Sequence, residues 1–69
     1  MKKAYRKDTG EEVKVGEKVQ DFRGKIWKLV RLSRARIEGD ARTGKVIVQR
    51  EGQNMEFYDT VFDLRVVEE

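Results

Sequence analysis

The chain contains no cysteine, no histidine and no proline. Without cysteine there is no disulfide framework and no thiolate metal site to supplement the small core that 69 residues allow. Without histidine, the commonest general base at neutral pH and the commonest metal ligand are both missing. Ser33 is the only serine, and no Ser/His or Cys/His nucleophilic arrangement can be built around it. No glycine-rich phosphate loop is present. The chain is therefore expected to be no enzyme and to hold no cofactor or metal. No apolar run approaches the roughly 20 residues that span a bilayer. The basic start, MKKAYRKDTGEE, has no apolar stretch of the kind a signal peptide carries. A cytoplasmic location without a membrane partner is the expectation.

Charge is plentiful: 42% of the residues are charged, yet the net charge is only +3. Disordered chains combine low hydrophobicity with a large net charge. Here the balance is near neutral and the apolar residues cluster, so one folded domain over residues 1–69 is expected, with 1–10 as a peripheral N-terminal strand and turn. The charge is unevenly divided. Residues 1–36 carry twelve Lys/Arg and five Asp/Glu, whereas residues 37–69 carry four and eight. A basic half points to an anionic partner.

Glycines at 10, 16, 24, 39, 44 and 52 punctuate short runs rich in Val, Ile, Phe, Tyr and Trp. Turn signals at that spacing favour an all-β meander. Asp8-Thr9-Gly10 reads as a turn, Val13-Lys14-Val15 alternates, and Lys18 to Phe22 forms a run closed by the reversal at Arg23-Gly24. Glu38 to Gly44 reads as a polar loop. Lys45 to Gln49 is the clearest strand, with three consecutive β-branched residues. Met55 to Tyr58 returns after the turn at Glu51–Asn54. Asp59 to Asp63 suits a 3₁₀ turn, and Leu64 to Val67 closes the chain. Val19, Phe22, Val46, Val48, Phe57, Phe62 and Leu64 are the expected core.

Lys25 to Ile37 fits neither regular period. As a helix it brings Ile26, Leu29, Val30 and Ile37 near one face. As a strand it puts Ile26, Val30 and Leu32 on one side, with Trp27 and Leu29 on the other. A strand that switches faces at a bulge would turn Trp27 and Leu29 inward and leave the later arginines outside. The flanking β-rich runs favour the strand.

The segments VKVGEKVQDFRGKIWKL and EFYDTVFDLRV resemble a group of small phage and prophage proteins, especially those of actinobacteria. The shared pattern falls on Val13, Val15, Gly16, Val19, Asp21, Phe22, Arg23 and Gly24, then Lys45 to Val48. It ends on Glu56, Phe57, Tyr58, Val61, Phe62 and Leu64. Lys25 departs from it, since the group has Glu there. The resemblance covers about residues 13–67 and implies a small SH3-like barrel of about five antiparallel strands, with a 3₁₀ turn before the last. It also implies a host-cell cytoplasmic setting, and it carries no assigned activity. The G-E-K-V…G-K segment is similar, over about ten residues, to the KOW motif of ribosome- and transcription-associated barrels.

Candidate binding residues are Arg23, Lys25, Trp27, Lys28, Arg31, Arg34, Arg36 and Tyr58. Aromatic rings beside Arg and Lys stack on bases in single-strand binders, and equally anchor protein interfaces. The plainer alternatives are a solvated strand face for the basic residues and a core-covering role for Trp27. Asp21 is expected to accept backbone N–H bonds in its turn, with Gly24 at positive φ. Asp59 and Asp63 are expected to cap the short turn and face solvent. A protein-binding module without catalysis (partner a host or phage protein, monomer favoured) is the first expectation, with a nucleic-acid-binding barrel and an accessory structural protein as the alternatives.

Overall fold

The computed structural model describes residues 1–37, 39 and 43–69. Much of the expected polar loop (Glu38, Asp40, Ala41 and Arg42) lies outside the described residues. The described chain is all-β. Seven strands run in the order β1 (Lys2–Arg6), β2 (Glu12–Val13), β3 (Lys18–Gln20), β4 (Ile26–Arg34), β5 (Lys45–Arg50), β6 (Gln53–Tyr58) and β7 (Leu64–Glu68). A 3₁₀ turn, Asp59–Phe62, precedes β7. Asp63 then closes the turn at φ 55°, its N–H reaching the carbonyl of Thr60.

The strands form two antiparallel sheets, ordered β2-β1-β7 and β3-β4-β5-β6, and not the single closed barrel of about five strands that was expected. The ladder breaks between β2 and β3, where Lys14 to Glu17 turn back on themselves. The Glu17 N–H donates to the Lys14 carbonyl, and the Lys14 N–H donates to the Glu17 carboxylate at 2.9 Å. Elsewhere the two sheets are linked by a backbone bond from the Arg36 N–H, just beyond β4, to the Val66 carbonyl of β7 at 2.8 Å.

The core lies between the sheets: Ala4, Val13, Val19, Leu29, Val46, Val48, Phe62, Leu64 and Val66 are all buried. Trp27, Phe57 and Phe62 close one part of it edge-to-face, with ring centroids 5.4 to 6.4 Å apart, the geometry that aromatic quadrupoles favour. Phe57 is only half-buried.

Two expectations are corrected. Of residues 1–10, expected to be a peripheral strand and turn, Lys7 to Gly10 is an exposed turn, but β1 is the central strand of its sheet and Ala4 is wholly buried between Val13 and Val66. Phe22 is not core: it is 75% exposed at the tip of the β3–β4 turn.

Asp59 also departs from the solvated role expected of it, whereas Asp63 is exposed. The Asp59 carboxylate is fully buried and accepts from Arg36 Nε at 3.0 Å, Arg36 Nη2 at 3.2 Å and the Val66 N–H at 3.1 Å. A buried carboxylate persists only when paired and hydrogen-bonded in this way. Gly44 makes room for it. A Cβ at that position would stand 2.7 Å from Asp59 Oδ2 and 2.8 Å from the Arg34 carbonyl oxygen, closer than real atoms approach.

Candidate functional site

The ambiguity of residues 25–37 resolves into a strand with a period of three. Lys28, Arg31 and Arg34 stand opposite Gln49, Ile47 and Lys45 of β5, while Leu29 and Leu32 stand opposite Val48 and Val46. Three residues of β4 are thus matched to two of β5, with register shifts between Leu29 and Arg31 and again between Leu32 and Arg34. Val30 and Ser33 are the extra residues. In a regular strand, side chains three apart point to opposite faces. Two successive bulges cancel that inversion and re-aim the chain. Leu29, Leu32 and Ala35 consequently pack on the core, while Lys28, Arg31 and Arg34 share the outer face.

Cross-strand partners complete this outer face. Lys18 lies opposite Lys28, Gln20 opposite Ile26, Ile47 opposite Glu56 and Lys45 opposite Tyr58. Lys18 and Lys45 were not among the residues singled out from sequence. Their strand parity was visible, but which face their neighbours shared was not. The two pairs Lys18–Lys28 and Arg34–Lys45 set like charges directly opposite one another, an arrangement that destabilises a sheet.

At one end the repulsion is partly compensated. Arg34 Nη2 donates to the Thr43 carbonyl at 2.7 Å, and Lys45 Nζ lies 3.9 Å from Glu56 Oε1 and 5.1 Å from the Tyr58 ring centroid. Glu56 also accepts from the Ser33 hydroxyl at 2.5 Å. Lys18, Lys28 and Arg31 have no ion-pair partner among the described residues.

The remaining singled-out residues go elsewhere. Arg36 is drawn inward onto Asp59 and is not part of the outer face. Trp27 is on the inner face opposite Val19, half-buried, with the Arg50 guanidinium 5.8 Å from its ring centroid. It covers the core and does not stand beside Lys28 and Arg31. Tyr58 is exposed on the outer face. Arg23 and Lys25 are exposed at the β3–β4 turn, beyond the Ile26 end of β4.

That turn is held by one side chain. Asp21 Oδ1 accepts the N–H groups of Arg23 and Lys25, each at 2.9 Å, and Oδ2 accepts Trp27 Nε1–H at 3.0 Å. Gly24 adopts φ 84° as the reversal requires, and Gln20 Nε2 bonds its carbonyl at 3.1 Å. Partial desolvation raises the Asp21 carboxyl pKa, but the bonds donated by Trp27, Lys25 and Arg23 outweigh it and leave the group below its ordinary value.

Chemically this is a cationic face with apolar and aromatic relief: several cations, Ile26, Ile47 and Tyr58, with Glu56 as an acid among them. Among the described residues, no three of His, Cys, Asp and Glu come together as a metal site. No helix among them is long and apolar enough to cross a membrane. Compared with known proteins, the chain matches no family model, no curated protein and no solved structure.

Proposed function

We propose that this chain is a non-catalytic nucleic-acid-binding module that holds a phosphodiester backbone along the outer face of its four-stranded sheet. Lys18, Lys28, Arg31 and Arg34 are the phosphate contacts. One observation carries the reading: two bulges in β4 put Lys28, Arg31 and Arg34 on one face, which a regular strand of the same sequence would not do. Without the bulges the basic residues would be split between faces and could not follow one strand of phosphates. A polyanion also relieves the like-charge pairs that the unliganded sheet tolerates. Guanidinium groups suit phosphate because they offer several N–H donors in a fixed plane.

The test is a titration of labelled oligonucleotides by fluorescence anisotropy across salt concentration. Four phosphate contacts give a slope of log K against log salt of about −3 on single strands, through release of condensed counterions. The Lys28→Glu/Arg31→Glu double variant should flatten that slope by more than half. Absence of salt-dependent binding at protein concentrations up to about 100 μM, the weak end of non-specific affinity, overturns the reading.

A second reading, a module that binds a host or phage protein, is favoured by β6. Gln53–Tyr58 is an edge strand with one neighbour, β5, in its sheet, and most of it is exposed. Such edges accept an extended peptide as an added strand. A proline at Asn54, whose N–H points away from β5, would weaken peptide capture and leave the oligonucleotide salt slope unchanged. The SH3-like kinship implied by the resemblance is a separate part of this proposal. Short antiparallel strands, the 3₁₀ turn before β7 and the Arg36–Val66 bond between sheets support it as an opened barrel. The phage setting and host cytoplasm follow from the same resemblance and are part of this proposal.

A further inference from the structure

Phe22 combines three properties. Its ring is 75% exposed, the largest exposure of any aromatic side chain here. Its backbone is fixed, because Asp21 ties the two residues at positions 23 and 25 and the indole of Trp27 into one hydrogen-bonded unit. Its flank is cationic, with the Arg23 guanidinium 5.4 Å from the ring centroid and Lys25 two residues beyond. A solvated turn needs none of these, and a phenyl ring left in water forfeits the burial it would gain in the core.

We infer that Phe22 is a stacking platform for a nucleobase, and that the ligand of the outer face is therefore single-stranded. This inference rests on the nucleic-acid reading above and names its substrate class. The turn lies at the Ile26 end of β4 and Tyr58 at the Arg34 end, opposite Lys45. At about 3.3 Å per residue, the basic face between them runs for roughly 25 Å. A single strand laid along it from Tyr58 passes the cations and reaches the β3–β4 turn that exposes Phe22. Its unpaired bases offer π-faces to both rings, whereas the bases of a duplex are already stacked on one another. Arg23 beside the ring supplies a cation to the adjoining phosphate. Preorganisation by Asp21 means that little ordering is lost when a base arrives.

The experiment uses the full chain and three ligands of equal length: a single-stranded oligothymidine, its abasic counterpart and a duplex. The expected result is that Phe22→Ala weakens oligothymidine binding about 5- to 150-fold. The abasic strand and the salt slope should be unaffected, and Phe22→Trp should restore affinity. Phe22→Ala remains folded on this account because the ring buries little surface, and its melting curve verifies that. If Phe22→Ala binds oligothymidine as the wild type does while the salt slope persists, the stacking inference fails and the basic-face reading survives. If the wild-type chain binds neither the abasic strand nor oligothymidine in a salt-dependent way, the basic-face reading itself fails, and this inference falls with it.

Discussion

Lys28 and Arg31 are three residues apart in β4 and yet share one face of the sheet, opposite Gln49 and Ile47. The residue that makes this possible is Val30, which stands between them without a counterpart on β5. A bulge residue can be removed without inverting the strand beyond it, because the regular two-residue alternation is what remains. Deleting Val30 should therefore leave a cooperative fold, at a cost below about 2 kcal/mol, within the range of ordinary single changes. Leu29→Ala, which empties a fully buried site, should cost about 2–5 kcal/mol. Thermal melts compare the two. A Val30 deletion that fails to fold would contradict the bulge assignment.

The phenylalanines separate in the same way. Phe62 is buried against Trp27 and Phe57, and Phe62→Ala should lose about 3–5 kcal/mol. That is comparable to the entire stability of a domain of this size. Phe22→Ala should change stability by about 0.5 kcal/mol or less, as exposed substitutions do. Equal effects in urea denaturation would refute the placement of both rings.

Breaking the Arg36–Asp59 pair leaves a buried carboxylate without its cation. Arg36→Ala should cost roughly 3 kcal/mol, the low end for a broken buried pair, since the Val66 N–H still bonds Asp59. The arginine is also 28% exposed, so solvent already weakens the interaction somewhat. Gly44→Ala should destabilise as well, through the collision of its methyl group with Asp59 and the Arg34 carbonyl. Chemical denaturation of both variants measures this. An Arg36→Ala chain as stable as the parent would show that the pair does not hold the two sheets together.

The Asp21 turn makes stability depend on acid in a stated direction. Its folded pKa is depressed, so the carboxylate's contribution is fully present above the unfolded value of about 3.9 and is lost as pH falls through the folded value. The stability difference between the parent chain and Asp21→Asn should shrink as pH is lowered from 5 toward 2. The Trp27 indole N–H resonance, which reports the bond to Oδ2, should move over the same interval. A difference that grows on acidification would mean that the hydrogen bonds do not favour the charged form.

Some of these features are legible in the residues themselves. Val46, Ile47 and Val48 are β-branched and alternate in burial along β5 as their pattern implies. The hydrogen bonds of Asp21 and the positive φ of Gly24 are local, and the turn residues announce them. The triplets Lys28-Leu29-Val30, Arg31-Leu32-Ser33 and Arg34-Ala35-Arg36 hold a period of three, but that signal is invisible to templates of period 2 or 3.6. Phe22 is expected in the core because a small chain needs most of its large apolar residues there, whereas the burial of Ala4, within the segment expected to be peripheral, depends on pairing with strands that the local residues do not announce.

The sequence by itself determined an all-β chain with glycine turns, a 3₁₀ turn before the final strand, and no His or Cys for catalysis. Those properties depend on composition and on residues a few positions apart, where backbone sterics and local hydrogen bonds act. Only the tertiary structure decided that β1 lies at the centre of a sheet, that Arg36 reaches Asp59 23 residues away, and that Lys18, Lys28, Arg31 and Arg34 share a face. Each of these depends on the register between strands distant in sequence. That register is set by burying Leu29, Leu32 and the valines opposite them, and a shift of one residue would turn every one of those side chains to the other face.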